Sequence, residues 1–228
     1  SGSNNVQLLL ADLSSMESVR QLAATVQASY GRLDVLVNNA GAMFNDRQVS
    51  VDGYEMTFAL NHLSYFLLTN LLLDLLKASA PARIVNVSSG AHAGSKINFD
   101  DIMLAKRYRS FEAYGQSKLA NILFTYELAR RLEGSGVTAN ALHPGGVATE
   151  FAAGEGLMGT IFKLIRPFLP TPEQGAETQI YLASAPEVAG VSGQYFAKKK
   201  LVNSSKISYD TAVAQHLWQL SAELTGLD

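Results

Sequence analysis

The sequence predicts an α/β fold, a parallel sheet with helices on both faces, from three observations. Short apolar runs alternate with longer stretches of helical pattern. Hydrophobic residues make up 47% of the 228 and charged residues only 17%, a balance that implies extensive burial. Four of the apolar runs end in a polar or glycine-rich turn, which is where open α/β sheets bind ligands.

Val6–Ala11 is an unbroken apolar run and predicts a buried strand, after which Ser14 or Ser15 caps a helix reaching about Tyr30. Leu33–Val37 predicts a second strand, and a helical region follows from about Asp52 to Ala78. Arg83–Ser88 is the third strand, Phe111–Glu133 the next helix, and Val137–Leu142 the fourth strand. Phe151–Leu169 is an apolar stretch bounded by glycine and proline, and a helix is expected over Pro172–Ala183. Gln194-Tyr195-Phe196 after Gly193 reads as a short strand, and a last helix spans about Tyr209–Leu224. No composition shift marks an internal boundary, so residues 1–228 are read as a single domain.

Composition narrows the function. A formal charge of −2 gives no electrostatic footprint for nucleic acid, and the one basic run, Lys198-Lys199-Lys200, suits a solvated strand end. The absence of cysteine excludes disulfides and permits a reducing compartment, so a cytoplasmic location is expected. Tyr65–Leu76 is the most apolar stretch, but Asn70 and Asp74 interrupt it and it is too short to span a bilayer. No His/Asp/Glu grouping has metal-ligand spacing, so no metal is expected.

The chemistry gathers at the predicted strand ends. Asp12 follows the first strand, Asn38-Asn39-Ala40-Gly41 the second, Ser88-Ser89-Gly90 the third, and His143-Pro144-Gly145-Gly146 the fourth. Each has a plainer use: the asparagines could simply form a turn, the serines a cap, and His143 could pack at its strand end. The helix returning from this edge opens with Tyr114-Gly115-Gln116-Ser117-Lys118, which puts a phenol and an ammonium four apart on one face. A nearby cation favours the ionised phenol, and lowering its pKa from about 10 by roughly two to three units would cost about 3–4 kcal/mol. Tyr114 would then be an acid or base near neutral pH. Tyr195 and Lys199 repeat the spacing, but in a strand, where residues four apart stand roughly 13 Å from each other.

With Asn38-Asn39-Ala40-Gly41, Ser89, Tyr-x-x-x-Lys and Pro144-Gly145 in that order, the chain resembles a short-chain dehydrogenase/reductase over essentially its whole length. Asn86-Val87-Ser88-Ser89, Tyr114–Asn121 and Leu217–Ser221 are similar to retinol-dehydrogenase-like members. The resemblance implies a Rossmann-like fold and hydride transfer between NAD or NADP and an alcohol or carbonyl. It implies that Tyr114 is the acid/base, that Lys118 binds the nicotinamide ribose and lowers the tyrosine pKa, that Ser89 holds the substrate oxygen, and that Asn61 holds a relay water. Asp12 and Leu13 would lie near the adenine, Asn38, Ala40 and Gly41 along the cofactor, and Pro144, Gly145, Val147 and Thr149 beside the nicotinamide and phosphates. The apolar side chains from Phe151 to Ile165, within a lid over about 150–170, suggest a lipophilic substrate or else a membrane-facing or dimer surface, and a homo-oligomer is allowed.

The chain departs from this family in its first unit. The glycine-rich phosphate loop and the first two strands and helices have no counterpart before Val6. Gly154-x-Gly156-x-x-Gly159 matches a dinucleotide pattern formally but follows no buried strand. The edge of Leu33–Val37 should therefore lie open, unless Val6–Ala11 re-pairs with it or another chain fills the gap; alternatively the sequence is part of a longer one. NAD(P) binding by these residues alone should be weak, since no strand–glycine turn–helix supplies N–H groups to a pyrophosphate. A non-catalytic binding or assembly role for the scaffold is the alternative to an oxidoreductase. Another Rossmann-like enzyme, such as a methyltransferase, would have no use for the Tyr-Lys pair.

Overall fold

A computed structural model of the chain describes residues 5–145 and 171–227. In these, three parallel strands, β1 (Val35–Asn38), β2 (Ala82–Val87) and β3 (Val137–His143), run side by side. A fourth parallel strand, β4 (Tyr195–Ala197), joins β3, and β5 (Lys200–Leu201) folds back antiparallel. Lys198 and Lys199 form the two-residue turn between β4 and β5, both with positive φ, 50° and 60°, as a tight hairpin requires. The Lys199 ammonium pairs with Glu177 at 2.7 Å.

Helix α1 (Met16–Ser29) starts at Ser15, whose hydroxyl accepts from the Ser18 N–H. The helical region after β1 comes in pieces: α2 (Met56–Phe58), a π-helical turn (Ala59–Leu63), α3 (Ser64–Leu71) and α4 (Leu73–Ala78). Helix α5 (Ser110–Arg131) is the structural centre, buried at every position from Gly115 to Leu128. Two further helices complete the described chain, α6 (Pro172–Ser184) and α7 (Thr211–Thr225). One face of the sheet carries a core in which α5 packs with α1, α3 and α7 through residues such as Val19, Phe66, Leu123, Phe124 and Leu217. On the other face Leu182 of α6 packs against Val85, Val87, Leu142 and Phe196. Among the described residues no helix is long and apolar enough to cross a membrane.

One expected element is not formed. Residues 6–11 make no strand and do not re-pair with β1; Val6, Leu8 and Leu10 are 65%, 80% and 87% exposed. Apolar character selects a strand only where a neighbour offers a ladder of backbone hydrogen bonds, and no described strand lies beside this run. β1 is consequently an edge strand, as expected, with Val37 40% exposed.

Candidate functional site

The carboxyl end of β2 and the turn that leaves β1 come together at Lys118 of α5. Asn38, at the end of β1, is buried and donates through Nδ2 to Thr69 Oγ1 (2.9 Å) and to Asn86 Oδ1 (2.8 Å), its register partner on β2. Asn86 Nδ2 donates in turn to Thr125 Oγ1 on α5 at 2.9 Å. Asn38 thus ties sheet to helices, and the chain beyond it turns toward α5. Ala40 O accepts from the Tyr65 hydroxyl at 2.8 Å. At Gly41 a Cβ would lie 3.0 Å from Asn61 Oδ1 and 3.2 Å from Lys118 Nζ, so a larger residue would press both side chains aside by a few tenths of an ångström.

Asn61 sits in the π-helical turn, a feature often found at functional sites. Its side chain clasps the turn after β1: Oδ1 accepts from Ala42 N–H (2.8 Å), while Nδ2 donates to Ala42 O (2.9 Å) and to Ser117 Oγ (3.0 Å). The Asn61 main-chain carbonyl accepts from Asn121 Nδ2 at 2.9 Å. Asn121 in turn faces His62, whose other ring nitrogen lies 2.9 Å from Ser221 Oγ, and burial holds the His62 pKa down at about 4 despite the Asn121 bond.

Ser88 Oγ donates to Lys118 O at 2.7 Å, anchoring the end of β2 to α5. The next residue, Ser89, hydrogen-bonds the Tyr114 phenol. Gly115 allows the approach: a Cβ there would lie 2.2 Å from Ser95 Oγ and 2.9 Å from the Ala91 carbonyl oxygen.

Lys118 is buried, and its Nζ lies 5.6 Å from the centre of the Tyr114 ring and 5.9 Å from that of Tyr65. Its one hydrogen bond among the described residues goes to Val87 O at 3.2 Å. Burial lowers its pKa to about 8, which leaves it largely protonated at neutral pH. The expected lowering of the tyrosine pKa is absent from the chain alone. Burial raises the Tyr114 phenol above its ordinary value, with the Ser89 hydrogen bond working the other way. Burial costs a phenolate its hydration as it costs the ammonium, and the ammonium's hydrogen bond is directed at Val87 O.

Asp12 and Leu13 lie at the head of α1. The Asp12 carboxylate accepts from the Ser14 N–H (2.9 Å) and hydroxyl (2.7 Å), which lowers its pKa, and Leu13 packs against a core containing Met16, Phe58 and Leu119. Pro144 and Gly145 follow β3, with Gly145 at φ 94°. Val147, Thr149, the glycine pattern at 154–159 and the whole of the expected lid lie outside the described residues. Among the described residues there is no cluster of metal-ligating side chains.

Sequence reasoning missed Ser117, Asn121 and Thr125. With Tyr114 and Lys118 they form a polar stripe at spacings of three and four along the buried length of the helix, and that periodicity was the available signal.

These features meet in a known family. The short chain dehydrogenase family profile matches residues 2–157. The chain belongs to the short-chain dehydrogenase/reductase family, whose members are NAD(P)-dependent oxidoreductases. Human retinol dehydrogenase 13 is 47% identical over 224 residues, covering 95% of this chain and 68% of the relative. Human retinol dehydrogenase 14 is 49% identical over 220 residues, covering 95% of this chain, and the chain spans 66% of its length. An uncharacterized protein from Mycobacterium paratuberculosis has the same fold with a TM-score of 0.74 at 35% identity, covering 95% of this chain and 74% of that one. A protein described as an NAD(P)-dependent gluconate 5-dehydrogenase from Beutenbergia cavernae, solved with NADP bound, gives a TM-score of 0.65 at 28% identity, covering 84% and 74%.

Proposed function

We propose that this chain carries the proton-transfer site of an NAD(P)-dependent oxidoreductase acting on lipophilic alcohols or carbonyls, with Tyr114 as the acid/base. The observation that carries this reading is the convergence of Tyr114, Ser89 and a buried, charged Lys118 beside the Asn38–Gly41 turn. The residues fit the cofactor: a buried ammonium with donors to spare suits a ribose diol, and Gly41 leaves the turn without a Cβ. Lys118, Gly41, Ala40, Pro144 and Gly145 would hold it, with Asp12 and Leu13 toward the adenine and Val147 and Thr149 toward the nicotinamide. NAD(P), when bound, supplies or accepts the hydride.

The chain's own part is the proton. Near neutral pH the Tyr114 phenol is protonated, the state needed to deliver a proton to a carbonyl oxygen. Ser89 donates a second hydrogen bond to that oxygen, stabilising the negative charge that develops on it. Lys118 provides a fixed positive charge in a dry environment, where it acts more strongly than in water. Asn61 holds the turn after β1 against Ser117 through its side chain, and a relay water would be held by its main-chain carbonyl.

A lipophilic substrate is supported by the names of the retinol dehydrogenase relatives and by the apolar side chains between Phe151 and Ile165. Following NAD(P)H absorbance with long-chain aldehydes and sugar carbonyls tests this, and preference for the sugars would overturn it. The exposed Val6–Leu10 run favours a second reading, a binding or assembly protein on the same scaffold. Assembly without any turnover in that assay would support the second reading.

A further inference from the structure

Ser89 has extended backbone angles, φ −155° and ψ 157°, and its Oγ accepts from Ala91 N at 3.2 Å. It introduces the single 3-10 turn Gly90–His92, too short to fix a side chain to catalytic tolerance by its own hydrogen bonds. Two imidazoles brace that turn. His92 Nδ1 lies 2.7 Å from the Ser89 carbonyl oxygen, and His92 Nε2 lies 3.1 Å from the Ser205 backbone nitrogen. A carbonyl only accepts and an N–H only donates, so His92 must carry its proton on Nδ1 and leave Nε2 bare. The ring also packs edgewise on Tyr195, with centroids 5.1 Å apart. His143 Nδ1 accepts from Gly90 N–H at 3.1 Å, bracing the next peptide from β3.

His92 therefore joins the Ser89 peptide to the chain beyond β5. The carbonyl it holds belongs to Ser89 itself, so the bond fixes ψ of Ser89 and with it the place of the Ala91 N–H from which the Ser89 Oγ accepts. We propose that His92 is a positioning residue for proton transfer: its Nδ1–H clamps the Ser89 carbonyl and so sets where the Ser89 hydroxyl meets the Tyr114 phenol. This rests on the roles proposed above for Ser89 and Tyr114.

Three variants separate the two arms of the clamp. His92→Asn keeps a donor near the Nδ1 position and gives up the Ser205 bond. His92→Gln keeps an acceptor near the Nε2 position and gives up the Ser89 bond. His92→Phe keeps the ring against Tyr195 and gives up both. The readouts are kcat, the KM for NADP(H), melting temperature, and the Tyr114 ring-carbon resonance in protein labelled at tyrosine Cζ, assigned by its loss in Tyr114→Phe. His92→Phe and His92→Gln should lower kcat about 10–100-fold with little change in cofactor KM, as a misplaced catalytic group does, while His92→Asn recovers most of the rate. The Tyr114 resonance should shift in Phe and Gln and return toward the parent in Asn. An unshifted resonance in His92→Phe overturns the proposal, as does equal impairment of Asn and Gln in step with their melting temperatures. If the parent protein shows no turnover, the functional reading fails, and the resonance still decides whether His92 positions Ser89.

Discussion

Replacing Gly115 with alanine sets two effects of opposite sign against each other. In a helix interior the change should stabilise by about 0.8–1 kcal/mol through propensity. Against this, the new Cβ would lie 2.2 Å from Ser95 Oγ and 2.9 Å from the Ala91 carbonyl oxygen. Ser95 can rotate away, but its hydroxyl donates to that same carbonyl at 2.9 Å, and breaking the bond costs about 0.5–1.5 kcal/mol. The carbonyl is backbone, so α5 or the Gly90–His92 turn must shift, with an overpacking cost of about 1–3 kcal/mol. Packing wins, and the net destabilisation is about 0.5–3.5 kcal/mol, or roughly 2–4 °C in Tm per kcal/mol for a chain of this size. Because the displaced turn carries Ser89, kcat should fall as well. Adding Ser95→Ala removes the closest contact and should recover part of the Tm. Calorimetry and steady-state kinetics read both effects. A Gly115→Ala protein as stable and as active as the parent would show slack between α5 and the turn, and would refute the reasoning.

Lys118→Met should abolish turnover yet raise Tm at pH 7. The Lys118 pKa is depressed in the fold, to about 8, so its burial penalty is complete below that pH and is relieved as pH rises toward the unfolded value; a shift of this size is worth about 3 kcal/mol. The Tm advantage of the variant should shrink above pH 8, and a variant less stable than the parent at pH 7 would contradict the argument. For carbonyl reduction, kcat/KM should fall as pH rises through about 8 and Lys118 loses its charge, and Lys118→Arg should remove that limb from whatever activity it retains. Asn38→Ala leaves Asn86 Oδ1 and Thr69 Oγ1 short of a buried donor and should cost about 1–3 kcal/mol by urea denaturation.

Much of the fold was legible because its signals are local. The runs Arg83–Ser88 and Val137–Leu142 became strands within a residue of expectation, and of the two expected cap residues, Ser14 and Ser15, it is Ser15 that caps α1. Val6–Ala11 was misjudged because a strand depends on its neighbours as well as its composition. The π-helical turn at Ala59–Leu63 was not legible either: the residues are ordinary helix formers, and the irregularity serves long-range bonds such as Asn121 to the Asn61 carbonyl. At the site, Tyr-x-x-x-Lys placed both groups on one face of α5, but the period could not show the ammonium turned to Val87 O or the pKa effect of burial. His92 carries no sequence signal, because its partners Ser89 O and Ser205 N are backbone atoms, which a search for side-chain motifs passes over.

The most direct test of the central claim is Tyr114→Phe, which deletes one hydroxyl and keeps the ring. Single-turnover kinetics at saturating NADP(H) and carbonyl substrate should show a loss of about 100-fold or more, the scale of general acid–base catalysis, with Tm and cofactor affinity unchanged. A rate within about threefold of the parent would mean that another group moves the proton, and would contradict the assignment.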